Sequence, residues 1–184
     1  VSASNASGTS AYSSTWSFRT IAPAPLPGEY SSDGNTVLLL HVNEASRTMV
    51  SDASNSASDG TATGTGVTSG RSGSARSFNG STDYVEGSTS AMNFAGQNYT
   101  LEAWIKTSST AGQAIFTTHN PSGGTYSNIG LYVAGGGSGG FFDMDINNGQ
   151  GTSTSNFNGA KVNDGRWHHV AGVRNGSVVT LYVD

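Results

Sequence analysis

The sequence predicts an all-β domain. Three observations carry this. From residue 78 onward short β-branched and aromatic runs recur between Gly/Asn/Ser clusters, no stretch shows a helical period, and Asn175-Gly176 separates two alternating segments. The chain has 184 residues, 34% hydrophobic, 11% charged and 9% aromatic, with 26 glycines, four prolines and no cysteine. Its charged fraction is less than half of the usual ~25%, and Gly, Ser, Thr and Asn make up about half of the residues. Such a composition also describes a disordered linker. The strand-like placement of the apolar residues decides for a folded domain.

The same arithmetic excludes several functions. A net charge of −4, with eight Lys and Arg spread thinly, lacks the footprint needed to hold a phosphate backbone, so no nucleic-acid partner is expected. The longest aliphatic run, residues 37–40 (VLLL), falls far short of the ~18 residues a membrane helix needs, and no basic segment followed by an apolar one opens the chain. Neither membrane insertion nor a signal peptide is therefore expected. Without cysteine there is no disulfide, thiolate metal site or cysteine nucleophile.

Three segments follow in order. Residues 1–20 are polar but punctuated by Tyr12, Trp16 and Phe18, and Trp16-Ser17-Phe18 alternates as a strand does. Residues 21–35 carry Pro23, Pro25 and Pro27, whose fixed φ favours an extended, hydrogen-bond-poor interdomain linker; an irregular edge segment is the alternative. Residues 36–184 form the interpretable domain. Its apolar run 37–40 is long enough for one strand buried on both sides, and residues 49–73, rich in Ser, Thr, Gly and Asp, suggest a long surface loop. Strands are expected at 75–78, 83–86, 99–106, 114–118, 129–133, 140–147, 154–156, 166–174 and 177–184.

Facing follows from the period of two. Leu101, Ala103 and Ile105 share one face of their strand; Glu102, Trp104 and Lys106 share the other, a mixed face that leaves Trp104 partly exposed. The Asn175-Gly176 pair predicts a tight hairpin, a type I′ turn by composition, after which Val179, Leu181 and Val183 point one way. A last strand that alternates so regularly needs neighbours, so the domain is expected to be incomplete at its C-terminus.

Several strings carry a family resemblance. ARSFNGSTDYVE (75–86), YTLEAWIK (99–106), NIGLYV (128–133) and DGRWHHVAGVRNGSVVTLYVD (164–184) occur in the order and approximate spacing of LamG-like, pentraxin-related domains. That resemblance implies a two-sheet antiparallel jelly-roll sandwich of the concanavalin A-like type, C-terminally truncated, since the family continues with glycine and further strands. Residues 1–20 resemble the closing strands of a fibronectin type III domain, with Ala3, Asn5 and Gly8 at its A-x-N-x-x-G turn.

The LamG and pentraxin resemblance also implies calcium at a loop rim. The Asp-Asn pair of pentraxins corresponds here to Ser127-Asn128. Asn128 offers a carbonyl oxygen, but serine replaces the carboxylate, and the remaining ligands would lie beyond residue 184. Asp83 follows the turn Asn79-Gly80-Ser81-Thr82, where it either caps backbone amides or joins a metal; the cap is the commoner use. Asp52, Asp59, Asp164 and Asp184 are further loop or strand-end oxygens without the D-x-D-x-D-G spacing of a calcium loop. His168 and His169 are adjacent on a strand and point to opposite faces, so they cannot share one zinc; His41 and His119 are isolated. Sequons at Asn5, Asn79, Asn98 and Asn175 matter only in a eukaryotic source.

One pattern suggests catalysis. In FFDMDINN, Asp143 and Asp145 lie two apart on a strand, on one face and ~7 Å apart at Cα, a spacing suited to paired carboxylates in glycoside hydrolysis. The strand resembles the E-[IL]-D-x-x-E motif of family 16 laminarinases, but with aspartate at the first position and Asn147 or Asn148 where the last acid belongs. Any half-buried strand alternates in this way, and fold kinship does not carry catalysis. The expected function is therefore non-catalytic: a carbohydrate- or protein-binding adhesion module of a larger extracellular or cell-surface protein. Its binding residues would lie on the polar loops 108–113, 119–128, 134–139 and 147–158, with Asn128, Tyr126 and Phe157 as candidates. A passive structural spacer and a hydrolase using Asp143 and Asp145 are the alternatives.

Overall fold

In the computed structural model the described residues are 4–5, 8–9, 28–45, 48–87, 92, 94, 97–118, 129–134, 139–147, 153–155 and 159–184. Their strands are β1 (Ser4–Asn5), β2 (Gly8–Thr9), β3 (Met49–Val50), β4 (Gly60–Thr63), β5 (Gly66–Ser69), β6 (Ser74–Ser77), β7 (Tyr84–Glu86), β8 (Tyr99–Lys106), β9 (Gln113–Thr117), β10 (Ile129–Ala134), β11 (Phe141–Asn147), β12 (Ser153–Ser155), β13 (Trp167–Asn175) and β14 (Val178–Val183). They pair in the orders β12-β11-β10-β9, β14-β13-β8, β3-β4-β7, β5-β6 and β1-β2, every ladder antiparallel. The chain is all-β, as expected. Tyr12, Trp16 and Phe18 lie outside the described residues.

The β12-β11-β10-β9 and β14-β13-β8 sheets close on each other through their inward alternate residues. Ile129, Leu131 and Val133 of β10 and Phe142 and Met144 of β11 form a buried cluster with Val162 and Val170. Leu101, Ala103 and Ile105 of β8 and Val179, Leu181 and Val183 of β14 pack against it, on the faces their alternation predicts. A register shift between Leu131 and Tyr132 inserts a bulge against β9, and both Ile115 and Phe116 reach the core. The tightest approach is at Gly172: a Cβ there would collide with Met144 Sδ and lie 3.1 Å from Leu131 Cδ2.

Three expectations are corrected. Residues 37–40 are not a doubly buried strand: Val37 is exposed, Leu38 to Leu40 are half-buried, and Leu40 makes only an isolated bridge to Asp52. The Leu39 amide donates to the Asp52 side chain at 2.9 Å, so a carboxylate stands in for a neighbouring strand there. Residues 49–73 are not one long loop, because β3, β4 and β5 lie within them and Val50, Ala62 and Thr65 are buried. Small residues hid these strands. β4 alternates through glycine and alanine, and a Cβ at Gly60 would stand 2.9 Å from Val85 Cγ1. The terminal hairpin is real but shifted: Asn175 pairs with Val178, leaving Gly176 and Ser177 as the central residues. Only Gly176 of these takes a positive φ, +60°, the signature of a type II′ turn with glycine first rather than a type I′ turn.

Polar groups hold what apolar area does not. The buried Asp52 carboxylate accepts from the Leu39, Ser54 and Ser58 amides, each at 2.9 Å, and from Ser54 Oγ at 2.8 Å. Burial pushes its pKa up, yet these four bonds outweigh burial and hold it below the ordinary carboxylate value. The buried Arg76 guanidinium donates to the Met49 carbonyl at 3.0 Å and to Thr65 Oγ1 at 3.3 Å, tying β6 to β3. Gly172→Ala is expected to destabilise the fold by about 1–3 kcal/mol through overpacking. Gly34→Ala, where a Cβ meets nothing within 4 Å, should stay within about 0.5 kcal/mol. Denaturant titration of the two variants checks both.

Candidate functional site

The outer face of the β9–β12 sheet carries the carboxylate pair. With Phe142 and Met144 buried inward, Asp143 and Asp145 turn to the other face, in register with Tyr132 and Gly130 of β10. The Tyr132 ring lies over Gly130, where a Cβ would strike it. Burial, and then the charges of Asp145 and Asp143, raise the Tyr132 hydroxyl above its ordinary pKa. Asp143 is only 3% exposed, and its Oδ1 accepts the Met144 amide at 2.8 Å. One of the two acids is thus engaged by its own strand.

The outer face of the β8–β13–β14 sheet is built differently. Trp104 of β8 stands opposite His169 of β13, with ring centroids 5.3 Å apart. Glu102 and Lys106 lie two residues to either side of Trp104 on the same strand face. His169 Nε2 is 3.3 Å from Glu102 Oε2 and 3.4 Å from the Tyr30 hydroxyl. The turn between β5 and β6 is closed by the Gly70 amide on the Gly73 carbonyl at 2.9 Å, and it places the Arg71 guanidinium 5.1 Å from the centroid of the Trp104 ring. Trp104 is 40% exposed, Tyr30 48% and, in register with Ala171, Tyr182 55%. Three aromatic side chains are therefore open to solvent on or beside one rigid sheet, among charged groups.

Residues 79–184, more than half of the chain, match the family model of the concanavalin A-like lectin/glucanases superfamily. The chain belongs to that superfamily. Searches of curated proteins and of solved structures each returned no match. The superfamily's description names both lectins and glucanases, so membership leaves the choice between binding and hydrolysis to the chemistry of this chain's own residues.

Of the residues singled out in the sequence, Asn128, Tyr126 and Phe157 lie outside the described residues. Asp83 accepts the Asn79 amide at 2.9 Å and the Thr82 hydroxyl at 3.4 Å, while Asn79 Oδ1 takes the Ser81 and Thr82 amides at 2.8 and 2.9 Å. This is the turn-capping arrangement. Among the described residues no group of three or more His, Asp or Glu side chains is arranged to hold a metal ion. Of the four polar loops, only 108–113 is described throughout. It is held by its own hydroxyls: Thr107 Oγ1 donates to Gln113 Oε1 at 2.9 Å and accepts the Ser109 amide at 3.1 Å. The sequence marked Trp104 only as exposed and assigned no role to Tyr30, Arg71, Glu102, Lys106 or Tyr182. The alternation of β8 carried a signal for Glu102, Trp104 and Lys106, but nothing local could have brought Arg71 and Tyr30 to them.

His168 and His169 face opposite ways, as expected, and His168 makes a carboxylate clamp. Its Nδ1 is 2.8 Å from Asp184 Oδ2 and its Nε2 is 3.0 Å from Asp164 Oδ1. The bonds to Asp184 and then Asp164 raise the His168 pKa, and the bond to His168 lowers both aspartates. A raised histidine contributes stability that is full below its unfolded pKa of about 6.5 and is lost as pH rises through the folded value. The lowered aspartates contribute above their unfolded pKa and lose it as pH falls. Stability is expected to decline as pH rises from about 6.5 toward the alkaline side, and His168→Asn should flatten that decline. Thermal midpoints against pH for both proteins measure this, and an equal slope in the two would contradict the clamp.

Proposed function

We propose that this chain is a non-catalytic recognition module, binding a glycan or a protein surface, within a larger extracellular protein. The exposed aromatic and charged face centred on Trp104 is the observation that carries this reading. An exposed indole and two exposed tyrosines on or beside one sheet offer large contact area at small entropic cost. Membership of a superfamily whose description names lectins beside glucanases is compatible with it. The hydrolase alternative is less well supported, because Asp143 is buried and bonded to the Met144 amide, whereas paired glycosidase carboxylates must both reach the scissile bond. The calcium expected at the loop rim is retained as a proposal for the region of Asn128.

A glycan array and a panel of extracellular matrix proteins, each probed with the full chain with and without EDTA, test the reading. Binding on either surface is expected, and loss in EDTA would assign calcium a part in it. No binding on any surface would favour a passive spacer. In a parallel β-glucan assay, Asp145→Asn is expected to leave binding unchanged and hydrolysis absent from both proteins. Hydrolysis by the native chain that disappears in the variant would overturn the proposal.

A further inference from the structure

Independently of any ligand, we infer that Asn175 is a self-modifying residue: its side chain cyclises onto the Gly176 nitrogen, with Asn98 holding both reacting groups. The sequence permits the reaction and the register equips it. Asn175-Gly176 opens the turn between β13 and β14, and glycine, lacking a Cβ, leaves its nitrogen open to a neighbouring carbonyl. The ladder pairs Tyr99 of β8 with Arg174 of β13, so the residue before β8, Asn98, falls beside Asn175. Arg174 fixes this end of the sheet. Its Nε donates to the Gly176 carbonyl at 3.1 Å and its guanidinium to the Gln97 carbonyl at 3.3 Å, which ties the turn to the segment carrying Asn98.

Hydrogen-bond directions decide how these groups stand. A backbone amide can only donate, so the Gly176 N–H is bonded to Asn98 Oδ1, at 2.8 Å. Asn98 Nδ2 is thereby turned to Asn175, whose Oδ1 accepts from it at 3.2 Å. One carboxamide thus holds nucleophile and electrophile together. The acceptor assists removal of the amide proton, the donor stabilises the negative charge that builds on Asn175 Oδ1, and both bonds keep the reacting groups side by side. In the step itself Gly176 N bonds to Asn175 Cγ, the Cγ–Nδ2 bond breaks, and that nitrogen leaves as ammonia with the proton from Gly176. Water then opens the succinimide to aspartate or isoaspartate, and either product adds one negative charge to the net −4. Isoaspartate also carries the main chain through Cβ, at the last ladder pair before the turn, Asn175 with Val178.

The chain carries its own control. Asn79-Gly80-Ser81 repeats Asn175-Gly176-Ser177, and both asparagines are exposed, so local sequence and solvent access alone predict equal rates. Their side chains are engaged differently. Asn79 Oδ1 accepts the Ser81, Thr82 and Asp83 amides at 2.8, 2.9 and 3.3 Å, and its Nδ2 donates to Thr82 Oγ1 at 2.8 Å, so turning its Cγ onto Gly80 N breaks the turn. The Asn98 bonds instead hold Asn175 to the group that also holds its nucleophile.

The native chain, Asn98→Ala and Asn98→Asp are incubated in mildly alkaline buffer, and peptide mapping by mass spectrometry follows conversion at Asn175 and Asn79 separately. Circular dichroism confirms that each is folded. In the native chain Asn175 is expected to convert several-fold faster than Asn79, and the two rates should converge in urea. Asn98→Ala should slow Asn175 several-fold and leave Asn79 unchanged, an effect smaller than the ~100-fold of a buried oxyanion donor because water competes at an exposed site. Asn98→Asp keeps an acceptor for the Gly176 amide but loses the donor to Asn175 Oδ1, and should also slow Asn175. A native Asn175 no faster than Asn79 would overturn the inference without recourse to any variant. An Asn175 rate unchanged or raised in Asn98→Ala would overturn it too, the rise making Asn98 a lock rather than an aid. The native rate in Asn98→Asp would overturn the part given to Asn98 Nδ2.

Discussion

The contact of Met144 and Leu131 with the bare backbone of Gly172 sets the separation of the two main sheets. With only 34% hydrophobic residues, the chain has little apolar material to spend, and its buried cluster draws on a few strands: Ile129, Leu131 and Val133, Phe142 and Met144, and Val170. Close approach makes the most of these side chains, because dispersion falls steeply with distance. A glycine in the middle of β13 is the cost of that approach, since it weakens strand propensity locally. The long ladders to β8 and β14 on either side compensate for it.

Once the inner faces are committed to the core, the period of two hands every other residue to the outside. Asp143 and Asp145 on one sheet, and Glu102, Trp104 and Lys106 on the other, are outward for the same reason that Phe142, Met144, Ala103 and Ile105 are inward. The two outer faces then diverge. On the first, Tyr132 folds down over Gly130, and Asp143 is buried while Asp145 stays half-exposed. On the second, the Arg71 guanidinium stands over the Trp104 ring and Tyr30 meets His169, while Trp104 and Tyr30 remain exposed.

Much of the remaining structure is held by side-chain oxygens rather than by hydrophobic burial. Asp52 gathers three amides and a hydroxyl, Asp83 and Asn79 close the turn before β7, and Asp164 and Asp184 grip His168. A chain with few charges uses several of them at such backbone-organising positions, where a charge-assisted bond is stronger than a neutral one. The abundance of Ser, Thr and Asn, which at first admits a disordered chain, supplies partners for many of these bonds.

The sequence by itself determined the all-β class, the faces of β8 and β14, the side of β11 on which both aspartates lie and the opposed directions of His168 and His169. Each follows from local alternation, which needs no knowledge of what lies across the sheet. It did not determine the strands within residues 49–73, because glycine, alanine and threonine strands carry no hydrophobic alternation and are specified by the ladders they join. Nor did it determine the role of residues 37–40, where the aliphatic run promised a strand but the Asp52 carboxylate claimed the Leu39 amide. The surface around Trp104 was decided only by tertiary structure. Tyr30, Arg71, Trp104 and His169 are separated by 33 residues or more at each step along the chain, and no local pattern records that sheet closure brings them together.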